Sequence, residues 1–312
     1  MRGYRLLTYS ERGGSPAAGV LVGDRIHPTA KILAGVPGLH DPSSVFCLLQ
    51  CWDRVHSVLR ETAGRLSGGT PLAEVTLCAP ILSPGELFCA GANYWDHLSE
   101  MADIAERTTG KRPSMTKGAE PWFFLKNARS GVIGSNSDVR LPSFSKQVDW
   151  EAELAVIIGQ ETRNISVERA LDAVAGYTIL NDVTMRDWQF RTSQFLQGKT
   201  FERSTPVGPY LVTPDEVDHA RELRLCCSVD GRPVQDASTS DMLFSVGTIL
   251  SYISSVITLM PGDLVATGTP AGVGAARKPP EYLTAGQTLE SCIEGLGGQR
   301  NLCRAPADRH QR

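Results

Sequence analysis

Three carboxylates alternate with other side chains in Asp149-Trp150-Glu151-Ala152-Glu153, directly ahead of the apolar run Leu154-Ala155-Val156-Ile157-Ile158. The run reads as a β-strand, whose side chains repeat every second residue, so Asp149, Glu151 and Glu153 are predicted to share one face. Like charges this close repel and raise one another's proton affinity. A fold keeps such a cluster when a cation relieves it, and hard divalent ions such as Mg²⁺ or Mn²⁺ prefer oxygen ligands. A solvated edge strand is the competing explanation, since charge on edge strands is common. A further ligand is on offer at Asn181-Asp182, which closes the apolar run Tyr177-Thr178-Ile179-Leu180. Glu151, Glu153 and Asp182 with waters would form an open octahedral site. Asp182 can also be read as a turn or cap residue ahead of Val183-Thr184-Met185-Arg186.

His97 and Glu100 lie three residues apart in Tyr94-Trp95-Asp96-His97-Leu98-Ser99-Glu100. On a helix they share a face, and a carboxylate that orients and charges an imidazole makes a better general base. The plainer alternative is a surface ion pair of little energetic weight. Trp95, beside them, is a candidate for shaping a pocket. Arg186 and Gln189 follow Asp182 by four and seven positions, which predicts a common helical face. With Lys199, in Gln197-Gly198-Lys199-Thr200-Phe201, they would suit an anionic, oxygen-rich substrate. Gly268-Thr269-Pro270-Ala271-Gly272-Val273-Gly274 lacks the ending of a phosphate loop and the third glycine of a dinucleotide fingerprint. It reads as a tight backbone loop approaching a ligand, with Thr269 offering a hydroxyl and an N–H, or as a plain turn after Pro261-Gly262-Asp263.

Short apolar strands must position these groups: Leu87–Ala90, Trp122–Lys126, Leu154–Ile158, Gly176–Asn181, Leu223–Val229 and Leu264–Thr267. Helical spacing is clearest over Phe244–Ile257, with a shorter helix over Val167–Ala173 capped by Ser166. Regular β-α alternation is missing, so the expected class is α+β and β-rich rather than doubly wound. Residues 1–75 read as a small N-terminal α/β domain. It holds strands around Tyr4–Tyr9 and Gly19–Ile26, then a helical pattern over Ser43–Leu59, and ends at Ser67-Gly68-Gly69-Thr70-Pro71. Residues 76–303 form the main domain, and residues 304–312 a tail expected to fray. Within the main domain, about residues 94–120 have the polar make-up of a short helix and mobile loop, as active-site lids do.

The 312-residue chain is 41% hydrophobic, with 31 Lys+Arg against 34 Asp+Glu and a formal net charge of -3. That balance gives no basic footprint for nucleic acid. The start, Met1-Arg2-Gly3-Tyr4-Arg5-Leu6-Leu7, lacks the apolar core of a signal peptide, and no apolar run is long enough to span a bilayer. A soluble, cytoplasmic protein without membrane partners is the expectation. Eight cysteines occur with no C-x-x-C pair, so reduced, mostly buried thiols are expected, with Cys89 in the core and no zinc site. Cys226 and Cys227, being adjacent, should face opposite sides of a strand.

Taken together, the segments Gly91–Glu100, Asp149–Leu154, Gly176–Asp182 with Arg186–Gln189, Gly198–Phe201, Pro261–Asp263 and Gly268–Pro270 resemble, in order, the fumarylacetoacetate hydrolase family. The resemblance covers roughly residues 80–302. It implies a mixed β-sandwich roll, a homodimer, and Glu151, Glu153 and Asp182 as Mg²⁺ or Mn²⁺ ligands. It also implies that His97 and Glu100 form a lid dyad that swings in over substrate, with Lys199 acting beside them. Arg186, Gln189, Thr269 and Lys126 correspond to substrate-side residues, and Asp149 to a support that does not ligate. The reaction so implied is metal-assisted hydrolysis of a C–C bond in a small 1,3-dicarbonyl 2-oxo acid, of the acylpyruvate or fumarylpyruvate type. Decarboxylation of an oxaloacetate-like acid and keto–enol or double-bond isomerisation share its enolate, and the family also includes dehydratases. A non-catalytic binding protein is the alternative from another class.

Overall fold

A computed structural model describes residues 3–114, 118 and 120–306, apart from the side chain of Thr108. Residues 115–117 and 119 of the expected lid, and 307–312 of the expected tail, lie outside the described residues. The fold is α+β and strand-rich. Its main sheet runs, edge to edge, through Thr70–Pro71, Arg25–Pro28, Ala17–Val22, Arg5–Ser10, Thr205–Val212, Val174–Asn181, Ala152–Ile158, Leu264–Ala266, Leu87–Ala90 and Phe123–Leu125. A second sheet orders Arg232–Ser238, Arg224–Val229, Thr288–Ile293, Gly297–Arg304 and Val139–Arg140.

The Ala152–Ile158 strand is buried along its whole length. Leu154, Val156 and Ile158 enter one core cluster, shared with Leu225, Leu289 and Ile293 of the second sheet. Ala155 and Ile157 point the other way, into a cluster closed by the helices Val45–Leu49 and Trp52–Thr62. A strand covered on both faces needs an unbroken apolar run, as this sequence has. The helices belong to the first 75 residues, whose strand Arg5–Ser10 pairs with Thr205–Val212, so the sheet continues from that region into the rest of the chain.

Ser44 and Ser245 cap the Val45–Leu49 and Val246–Val256 helices, each accepting a backbone N–H. Two local expectations change. Over 167–173 only Ala170–Ala173 is helical, as a 3-10 turn, with Arg169 rather than Ser166 at its cap position. The lid helix is not short: it runs Trp95–Thr109 and ends at Gly110 in the left-handed conformation, φ 73°.

One cysteine pair also corrects the reduced-thiol expectation. Cys226 and Cys292 are directly opposed on neighbouring strands, with Cα atoms 5.2 Å apart, and form a disulfide. Adjacent Cys227 faces the core and stays free, as the alternation requires. The bridge depends on the register of two distant strands, which residue spacing does not reveal.

Candidate active site

The site forms where the Ala152–Ile158 strand begins and its antiparallel neighbours Val174–Asn181 and Leu264–Ala266 end. Ala152 is registered opposite Asn181, which brings Glu151 and Asp182 side by side. Glu151 donates its N–H to Asn181 Oδ1 at 3.1 Å, and Asp182 donates its N–H to Glu151 O at 2.8 Å. Oxygens of Glu151, Glu153 and Asp182 thus lie within 4.8 Å of one another, all three side chains buried. Asp149 leaves this group. Its short strand Val148–Asp149 pairs with Thr184–Met185, and its carboxylate accepts from Gly274 N (2.7 Å), Ala275 N (2.9 Å) and Arg186 Nε (2.8 Å).

Cations thread this acidic cluster. Lys199 Nζ bridges Glu151 Oε2 at 2.6 Å and Asp182 Oδ2 at 2.7 Å. Lys126 Nζ meets Asp182 Oδ1 at 2.7 Å, and Arg186 meets Glu151 Oε1 at 2.7 Å. Burial alone would raise the Glu151 pKa, but Lys199 and Arg186 outweigh it and hold the carboxyl at about 2. Burial likewise opposes charge on Lys199, and Asp182 and Glu151 more than offset it, raising its pKa. Glu153 differs. Its described polar partner is the N–H of Gly268 at 2.6 Å, and no ion pair to it forms among the described residues. Burial, then Asp182 and Glu151, push its pKa well above the carboxylate range.

Four carboxylates (Asp149, Glu151, Glu153, Asp182) therefore face three cations (Lys126, Arg186, Lys199). An all-oxygen donor set short of positive charge fits a hard divalent cation.

Over this floor sits the Trp95–Thr109 helix. His97 Nδ1 lies 3.3 Å from Glu100 Oε2, and Glu100 Oε1 accepts from Gly272 N at 2.8 Å. Arg107 fastens the helix's far end to Ala275 O (3.0 Å) and Arg277 O (3.3 Å). The 268–274 loop approaches through its backbone, but its N–H groups serve the site's own carboxylates: Gly268 to Glu153, Gly272 to Glu100 and Gly274 to Asp149. A Cβ at Gly274 would sit 2.0 Å from Glu281 O, so only glycine allows this approach.

Asp182, Arg186 and Gln189 do not share a helical face. Asp182 follows the end of the Val174–Asn181 strand outside any helix, and the helix is a single turn, Arg186–Gln189. Gly198, ahead of Lys199, lets its backbone come close to Gln189 and so brings Lys199 to the same place: a Cβ there would be 2.5 Å from the Gln189 Cα. Gln189 Oε1 accepts from Arg186 at 3.0 Å. The Thr269 hydroxyl donates to Ala152 O at 2.9 Å and accepts from Gln235 Nε2 at 2.8 Å. His97, Glu151, Glu153, Asp182, Arg186, Gln189, Lys199 and Thr269 line one cavity of about 790 Å³, whereas Lys126 stands behind Asp182, outside the lining, and bonds Val183 O. Trp95 is exposed and does not line it either.

Two buried amides escaped the sequence reading. Gln235 ties Ala152 N to Thr269 and Pro270 O, and no spacing signal marks it. Asn93 joins Thr267 O to the backbone of Phe244, and its place ahead of the His97 helix was the available hint.

The family model described as fumarylacetoacetate (FAA) hydrolase C-terminal matches residues 86–303. Over 258 residues the chain is 38% identical to the mitochondrial oxaloacetate tautomerase FAHD2A of Homo sapiens, covering 82% of this chain and 78% of that one. The fumarylacetoacetate hydrolase of psychrophilic Exiguobacterium antarcticum superimposes with a TM-score of 0.75 at 31% identity, covering 97% of this chain and 99% of that one. The maleylpyruvate hydrolase of Sphingobium sp. SYK-6, in complex with manganese(II) ion and pyruvate, gives a TM-score of 0.76 at 26% identity, over 97% and 100% of the two chains. On these matches, and on motifs that meet at one buried acidic floor, the chain belongs to the fumarylacetoacetate hydrolase family.

Proposed function

We propose that this protein is a divalent-metal-dependent hydrolase that cleaves a C–C bond in a small 2-oxo acid of the acylpyruvate type. The observation that carries the reading is the meeting, in one cavity, of the acidic trio, the Lys199 ammonium and His97, with Glu100 bonded to the imidazole. The manganese and pyruvate held by the Sphingobium relative support the choice of ion and of fragment.

An Mg²⁺ or Mn²⁺ ion held by Glu151, Glu153 and Asp182 supplies Lewis-acid stabilisation for charge developing on the 2-oxo acid. His97, oriented through Nδ1 by Glu100, takes a proton from water with its other ring nitrogen. The water oxygen bonds to the distal carbonyl carbon. The C–C bond then breaks, its electron pair passes to the 2-oxo acid fragment as an enolate, and the acyl group departs as a carboxylic acid. The proton held on His97 is available to complete the enolate fragment as a 2-oxo acid. Lys199 places its ammonium beside the oxygen that gains charge. Arg186 acts on substrate only indirectly in this scheme, because its guanidinium is engaged by Asp149, Glu151 and Gln189.

The human relative's activity favours a second reading, keto–enol tautomerisation of an oxaloacetate-type acid, in which His97 only moves a proton. Incubation with Mg²⁺, with and without EDTA, on acetylpyruvate, fumarylpyruvate and oxaloacetate, followed by NMR, separates the two. Pyruvate plus a carboxylic acid from an acylpyruvate establishes hydrolysis. Faster enol–keto exchange without bond cleavage establishes the tautomerase, carbon dioxide from oxaloacetate a decarboxylase, and the absence of any EDTA-sensitive change removes these three acids as substrates.

A further inference from the structure

We infer that the distal group of the substrate is apolar and extended, an aryl or longer alkyl acyl group, rather than a second carboxylate. This rests on the 2-oxo acid reading above and specifies what the other end of that acid carries. At about 790 Å³ the cavity exceeds what oxaloacetate or acetylpyruvate fills and lies in the size range, roughly 300–1,000 Å³, that encloses drug-sized ligands.

Its buried charged groups gather on the floor, and an aromatic wall begins directly beside them. The Phe124 ring centre is 5.2 Å from Lys199 Nζ. From there Trp122 lies 6.0 Å from Phe124, Phe195 lies 5.5 Å from Trp122 edge-on, and Phe190 lies 6.3 Å from Phe195, all centre to centre. All four rings line the cavity, and the helix adds Leu98, Met101, Ala102 and Ala105. Trp122 remains 42% exposed and Phe190 56% exposed, so apolar surface is left for a ligand to cover. The indole also has a shaped seat: a Cβ on Gly91 would fall 2.0 Å from the Trp122 ring.

Among the described lining residues the cations are His97, Arg107, Arg186 and Lys199. His97 pairs with Glu100, and Arg186 and Lys199 with the floor carboxylates, while the exposed Arg107 donates to the carbonyls of Ala275 and Arg277, which do not neutralise it. Beyond these four the described lining offers no cation, and a distal carboxylate laid against the ring faces would lose hydration, whereas an aryl or alkyl group gains contact.

Calorimetric titration of the Mg²⁺-loaded protein with pyruvate, 2-oxoglutarate and 4-phenyl-2-oxobutanoate tests this, since none of the three is a 1,3-dicarbonyl that can be cleaved. The phenyl acid is expected to bind at least about tenfold more tightly than 2-oxoglutarate. Trp122→Ala and Phe195→Ala should each weaken the phenyl acid several-fold and leave pyruvate unchanged, with Trp122→Phe restoring much of the loss. Equal or tighter binding of 2-oxoglutarate overturns the inference, as does an equal loss for pyruvate in both alanine variants. If Mg²⁺ changes none of the affinities, the metal-dependent reading fails, while the order of the three acids still decides the nature of the distal group.

Discussion

The floor and the wall of the cavity are built on different physics. On the floor, ion pairs of 2.6–2.8 Å cross-link buried strands and single-turn helices, and Lys126, Arg186 and Lys199 hold carboxylates from three segments. On the wall, rings from around residues 122 and 195 meet edge to face or tilted, with part of their surface open. A buried charge deprived of its partner is costly, whereas an exposed ring can be exchanged with little effect on folding. On the proposed reading, the floor would keep the chemistry constant while the wall changed what is recognised.

The comparison breaks first at Glu153. Glu153→Gln is expected to lower Mg²⁺-dependent turnover by on the order of a thousandfold or more, because one of three proposed ligands loses its charge. In EDTA the variant should unfold at the same or higher urea concentration, because the carboxylate removed had no cationic partner. A large loss of stability would show that Glu153 is part of the scaffold instead. Asp149→Ala should do the opposite. It leaves Arg186 with Glu151 as its remaining described carboxylate partner and strands the backbone N–H groups of Trp150, Gly274 and Ala275, costing about 3–5 kcal/mol in urea unfolding even without metal.

His97→Asn keeps the floor intact. It should cut hydrolysis by about a hundredfold or more while Mg²⁺ affinity, measured by calorimetry, stays within twofold. The smallest effect belongs to the wall: Phe190→Ala, at an exposed ring, should shift stability by no more than about 0.5 kcal/mol. A shift comparable to that of Asp149→Ala would erase the distinction between floor and wall.

What the sequence revealed follows the range of the interactions. Glu151 and Glu153 share a face through strand alternation, and His97 and Glu100 meet through helical spacing, so local geometry was enough for both. Asp182 could be placed at a strand end, but its neighbours could not. That Lys126 stands behind it, and that Arg186 serves Asp149 and Glu151, follow from strand register across segments dozens of residues apart. The Cys226–Cys292 bridge and the amide of Gln235 were hidden for the same reason. The aromatic wall joins two stretches that carry no common pattern, so the identity of the distal group had no signature along the chain.

Glu100 divides its two oxygens between His97 and the backbone of Gly272. His97 and Glu100 ride on one helix, so the carboxylate that meets the imidazole also ties the 95–109 helix to the 268–274 loop. In effect the cavity carries an interlock. On the proposed reading, the contact that holds the helix down and the contact that orients the base fall on one carboxylate, so a substitution at Glu100 would loosen both together.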